Sequence, residues 1–147
     1  MTEKTIFLTA ILLLLAGFFI YLVFRPASIF YTGLHGFSCF KLHGFQQAML
    51  NSLPSFFHTI SFILISSVFI ERTGKGIFFI SLFWILLESI FELGQGIHFT
   101  EINGFSAVSF IIDYFNCGVL DINDIFAIIS GGILSFLILC NFKIVKD

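Results

Sequence analysis

The chain has 147 residues, 58% of them hydrophobic and 11% charged, with a net charge of −2. Charged residues make up about a quarter of an ordinary soluble domain, so this composition excludes a freely dispersed globule of this size. The small negative charge leaves no basic footprint for nucleic acid, and the 23 Phe residues form a surface that only lipid tolerates.

Crossing the hydrocarbon of a bilayer takes about 20 apolar residues at roughly 1.5 Å rise each. Residues 5–24 meet that without a charge. Lys4 and the apolar run from Ile6 resemble the start of a signal peptide. The run outlasts an h-region of about 7–15 residues, however, and no small-residue cleavage site follows, so it reads as a retained first helix. Arg25 and Pro26 end it.

The second span is expected over residues 52–70, capped by Asn51 or Ser52, with Pro54 early in the helix where its missing N–H is no loss. Glu71 and Arg72 stop it, and Gly74-Lys75-Gly76 reads as a tight turn. The third span is residues 77–94, with Gly94 and Gly96 as C-terminal breakers. The fourth is residues 122–142, opened by Asp121, Asn123 and Asp124, whose carboxylates complement the helix dipole. The predicted fold class is all-α: a single transmembrane domain over residues 1–147, a bundle of about four helices. Two Phe/Gly-rich loops, residues 25–51 and 95–121, are expected to carry short interfacial or re-entrant pieces. Residues 107–115 are apolar but too short to cross, and Asp113 interrupts them.

Four spans put both termini on one side. That side carries Lys4, Arg72, Lys75, Lys143 and Lys146, against Arg25 and Lys41 on the other. The positive-inside rule then predicts a multi-pass protein of the cell membrane with both termini cytoplasmic and the two loops outward.

This topology gathers polar residues at the outer end. His58 falls near the start of the second helix, Glu88, Glu92 and Gln95 on the last two turns of the third, and Asp121 and Asp124 on the first turn of the fourth. Glu88 and Glu92 are four residues apart, and Glu92 and Gln95 three, so all share one helix face. Glu88 lies roughly 9 Å below the helix end at 1.5 Å per residue. A carboxylate at the centre of a span costs on the order of 2.5–3.5 kcal/mol, and intramembrane carboxylates usually face a bundle interior or a wet cavity. The competing reading is that Glu88 only glues helices through a hydrogen bond to His58 or a serine. Glu92 and Asp121 would equally serve as solvated interfacial charges. His58 is either a water-bound imidazole or a pH-sensitive partner of Glu88 or Glu92.

The run Glu88-Ser-Ile-Phe-Glu92-Leu-Gly-Gln95, followed by Gly118-Val-Leu-Asp121-Ile-Asn-Asp124 and then Gly131-Gly132, resembles the VanZ-like membrane proteins. In those proteins a Glu-x-x-Gln motif closes one helix and an Asp opens the next, ahead of a glycine. Glu92, Gln95, Asp124 and Gly131 fall on that pattern, His58 fits the family's His near an earlier helix start, and Glu88 is similar to an extra acidic residue of some members. Two positions depart from it. No Arg or Lys lies between Ile77 and Phe142, and Ile128 stands where an Asn is expected. The resemblance covers about residues 53–136. It implies an inner-membrane, envelope-associated protein related to those linked with glycopeptide-antibiotic tolerance, and it implies no particular reaction.

Cys39 and Cys117 fall in the outward loops, where an oxidising compartment would allow a disulfide. His35, Cys39 and His43 have a spacing that would put three soft-metal ligands near one helix face, but the neighbouring glycines oppose a helix there, and no metal is assigned. Cys140 reads as a small apolar filler, and Ser130, Gly131 and Gly132 as close-packing positions.

The leading expectation is an outward polar pocket of His58, Glu88, Glu92, Gln95, Asp121 and Asp124 that takes a lipid-linked or headgroup-bearing ligand, or a cation. A phosphate there would need a bridging divalent metal. General-base chemistry by Glu88 or Glu92 with His58 as partner is compatible with this set. Two other readings stand beside it. One is a proton- or cation-coupled transporter subunit. The other is a non-catalytic scaffold that docks another membrane protein through its Phe-rich face.

Overall fold

Among the described residues, apolar runs long enough to span a bilayer become four helices: α1 (Glu3–Phe24), α2 (Phe45–Val68), α3 (Gly74–Gly94) and α4 (Ile122–Asn141). The structure, a computed structural model, describes residues 2–24, 45–70, 73–97, 112, 115–116 and 119–141. Cys39, Cys117, His35 and His43 lie outside these residues, and with them the disulfide and metal-ligand expectations.

Two helix starts differ from the sequence reading. α2 begins at Phe45, so neither Asn51 nor Ser52 caps it, and Pro54 sits inside the helix. Pro54 removes the donor that would meet the Leu50 carbonyl. Membrane helices tolerate this where neighbouring helices cover the gap, and Pro54 is buried, with its carbonyl beside Gly17 of α1. Ser52 donates to the Ala48 carbonyl at 3.1 Å instead of capping. At α3 the Gly74-Lys75-Gly76 stretch is the first helical turn and not a free turn. Thr73 caps it, accepting from the Gly76 N–H at 3.1 Å, and a side-chain cap offsets the low helix propensity of two glycines.

Successive helices run up and down. We call the end holding the C-termini of α1 and α3 and the N-termini of α2 and α4 the upper end. Cross-helix contacts fix this register. Thr59 meets Glu88 and Ser66 meets Trp84 between antiparallel α2 and α3. Gly131 meets Phe56 and Thr59 between parallel α2 and α4. Phe78 meets Phe136 edge-on between antiparallel α3 and α4.

α2 is central, packing on both α1 and α4, while α1 packs chiefly on α2 alone. The lower half is sealed by Ile6 and Ala10 of α1, Ile60, Ile63 and Leu64 of α2, Ile77 of α3 and Leu139 of α4. Two glycines let α4 approach both neighbours. A Cβ on Gly131 would lie 2.8 Å from the Phe56 carbonyl oxygen, and one on Gly132 would strike the Ile85 side chain.

Leu8, Leu12, Leu15 and Phe19 of α1, Phe79, Phe83, Leu86 and Ile90 of α3, and Phe126, Ile133 and Leu137 of α4 all face outward. No soluble monomer carries apolar surface on this scale, so lipid covers it. The chain is an all-α, multi-pass membrane protein. Cys140 belongs to this outward surface, so it does not fill the interior as the sequence suggested.

Candidate functional site

α2 and α3 each lean on α4 more extensively than on each other, and the gap between them is a cavity of about 250 Å³ in the upper half of the bundle. α2 supplies Ser55, His58 and Phe62. α3 supplies Trp84, Leu87, Glu88, Phe91, Glu92 and Gln95, and α4 supplies Ile128. The α3 set recurs at three- and four-residue steps, which places it on one helix face.

Aromatic rings close the lower end. Phe62 stacks on Trp84, with centroids 4.7 Å apart and planes 19° from parallel. The Trp84 Nε1–H donates to Ser66 Oγ at 2.9 Å and ties α3 to α2 beneath the cavity. His58 lies tilted over Phe62, 6.1 Å between centroids. At the upper rim Phe91 stacks on Phe115 at 5.8 Å. That ring fits because residue 94 is glycine: a Cβ there would lie 2.6 Å from Phe115 Cε1.

Glu88 points into the gap from α3. Its Oε2 contacts the Thr59 hydroxyl of α2, and its Oε1 is buried with no hydrogen-bond partner among the described residues. Glu92, one turn higher, is 6% exposed. It has a structural task, its Oε1 accepting the Asp121 N–H at 2.9 Å. A carboxylate accepting a backbone N–H at a helix start is a charge-assisted bond in a favourable dipole position, and this one pins the top of α3 to the first turn of α4.

Of the six residues expected to converge, the structure brings His58, Glu88, Glu92 and Gln95 to one cavity. Asp121 and Asp124 do not line it, which corrects the sequence reading. Asp121 caps α4, its Oδ1 accepting from both the backbone and the side-chain nitrogen of Asn123 at 2.9 Å. Asp124 is fully buried, one turn above Ile128 on the inward stripe of α4 that also holds Gly131 and Ser135. Helical spacing put both at the right height but could not say which way α4 turns.

Thr59, Phe62 and Trp84 escaped the sequence reading. Their signal was present: Phe62 is four residues after His58, and Trp84 four before Glu88. Ile128, the departure from the VanZ-like pattern, forms the cavity's apolar back wall.

Among the described residues no three His, Cys, Asp or Glu side chains are grouped as metal ligands. A larger apolar cleft of about 390 Å³ lies between α2 and α4, lined by Met49, Leu53, Phe56 and Phe126 among others, with no titratable side chain among the described residues that line it. No family model, curated protein or solved structure matches the chain.

Proposed function

We propose that the chain is a VanZ-like envelope protein whose α2–α3 cavity binds the polar headgroup of a membrane amphiphile, with both termini cytoplasmic and the cavity in the outer half of the bilayer. The observation that carries this reading is Glu88: a carboxylate that lines the cavity roughly two turns below the end of α3, with one buried oxygen unpartnered among the described residues. A group that only glued helices would have both oxygens satisfied, since leaving one buried acceptor unmet costs about 1–3 kcal/mol. The apolar rings around it suit the part of an amphiphile next to its headgroup. The family reading rests on His58, Glu92, Gln95, Asp124 and Gly131.

The full chain, extracted from membranes in mild detergent, should carry a bound lipid that mass spectrometry detects and that Glu88→Gln loses. Identical lipid profiles for the two proteins would remove the headgroup reading. Transport is the weaker alternative. Ser81, seven residues below Glu88 on α3, has a buried hydroxyl without a partner among the described residues, which extends polar character downward. Ile77 and Leu139 close the way beneath it.

A further inference from the structure

We propose that the cavity takes a quaternary ammonium group, and that the positive charge of this group replaces a proton on Glu88. The inference rests on the headgroup reading and names the chemistry of the headgroup.

Three features of the cavity select a cation of this kind. The charged groups that face it are carboxylates: Glu88 with an oxygen to spare, and Glu92 one turn above. No Arg or Lys occurs between Ile77 and Phe142, so α4 brings no basic side chain and α3 only Lys75 at its lower end, and His58 is the cavity's other titratable group among the described residues. An anionic headgroup would meet repulsion there. A bridging divalent metal would need several ligands in close array, and the described residues provide no such group. Phe62, Trp84 and Phe91 supply aromatic walls around the carboxylate. Aromatic surface attracts a bulky, weakly hydrated ammonium through the ring quadrupole, with indole the strongest partner. A small metal ion would instead keep its water.

The proton follows from counting hydrogens. Thr59 Oγ1 donates to the Ser55 carbonyl at 2.9 Å and also contacts Glu88 Oε2. A hydroxyl has one hydrogen to give. That hydrogen serves either Ser55 or Glu88; when it is on Ser55, the contact with Glu88 is made by the carboxyl group's own proton, and this is the form proposed for the empty cavity. When the ammonium enters, Glu88 gives its proton to solvent and the Thr59 hydroxyl turns to the carboxylate. One cation enters and one proton leaves, and the buried charge stays balanced, as low-dielectric surroundings require. The other groups facing Glu88 are His58 from α2 and Glu92 from α3. From α4 the nearest are Asp124 and Asp121, above Ile128. α1 meets His58 at Gly17 and brings Tyr21 one turn higher.

The test uses the full chain in dodecyl maltoside and the emission of Trp84, the single tryptophan. Tetramethylammonium and dodecyltrimethylammonium are titrated in turn, with inorganic phosphate as the anionic control. The ammonium probes should give saturable changes, and Kd should fall by up to about tenfold per pH unit. A weakly buffered sample should release one proton per bound cation. Glu88→Gln should weaken binding at least about tenfold and abolish proton release. Glu88→Asp, which keeps a carboxyl group, should keep the release, and Leu86→Ala on the lipid face should bind and release as the native chain does, so a misfolded Gln variant would not hide the answer. Binding of both probes identifies a free cation as sufficient. Binding of the dodecyl form alone identifies an amphiphile, and either result supports the ammonium class. Unchanged emission with both probes, equal binding to Glu88→Gln, or binding without proton release would overturn the proposal. A lipid without an ammonium group that is retained through Glu88 would also overturn it, while leaving the headgroup reading in place.

Discussion

The upper and lower halves of the bundle bury polar groups on different terms. In the lower half Ser67 donates to the Leu64 carbonyl and Ser135 to the Gly131 carbonyl along their own helices, and the bond that crosses helices below the cavity, Trp84 to Ser66, joins neutral groups. The serine bonds to carbonyls exist in an isolated membrane helix and add little when helices meet. In the upper half Glu88 reaches Thr59 on α2, and Glu92 reaches the start of α4. Those bonds form only in the assembled bundle, so they specify the arrangement. A polar residue inside a membrane protein is informative when its partner lies on another helix.

Six substitutions at five positions would sharpen or break that contrast. Gly131→Leu should have the largest effect, because its first added atom already meets the Phe56 carbonyl oxygen, a backbone atom that cannot swing aside. A loss of about 3 kcal/mol or more is expected in thermal unfolding in detergent. Gly132→Ala should cost less, because the Ile85 side chain it meets can repack. Glu92→Ala removes the acceptor for the Asp121 N–H and should cost about 2 kcal/mol. Glu92→Gln, which keeps an acceptor, should cost about half of that. Equal losses for the two would show that the α3–α4 bond does not hold the upper end. Glu88→Gln should leave the unfolding temperature nearly unchanged, within about 0.5 kcal/mol, while lipid retention is lost. A large destabilisation with lipid still bound would make Glu88 a structural group. Ser135→Ala should be the smallest change, below about 0.5 kcal/mol by the same unfolding measurement. A cost above about 1 kcal/mol, the net worth of a whole hydrogen bond, would erase the difference between the halves.

The spans were legible because membrane thickness demands a property summed over some 20 residues, which no single misread position disturbs. Helix starts were less legible. Ser52 has the chemistry of a cap, yet a serine also bonds its own helix, and the good helix formers Gln46, Gln47, Ala48, Met49 and Leu50 before it let α2 reach back to Phe45. Thr73 is the cap that the sequence reading passed over in favour of the glycines after it. At the site, spacing along α3 correctly joined Glu88, Glu92 and Gln95, because one helix fixes their mutual geometry. It could not orient α4, whose rotation is set by Gly131 against α2 and Gly132 against Ile85. Asp124 therefore joins the buried stripe and Ile128 takes the place beside Glu88. Thr59 was invisible for a similar reason: its importance comes from the α3 residue opposite it.

The central claim is that the gap between α2 and α3 is an accessible cavity and not a lipid-sealed seam. Cysteine labelling tests it directly, in the full chain with Cys39, Cys117 and Cys140 replaced by alanine and reconstituted in vesicles. Ser55→Cys and Leu87→Cys line the gap, whereas Leu86→Cys and Ile90→Cys sit at similar height but face lipid. A water-soluble maleimide should modify the first pair at least about tenfold faster, since the thiolate that reacts forms only where water reaches. Equal rates for the two pairs would contradict the account.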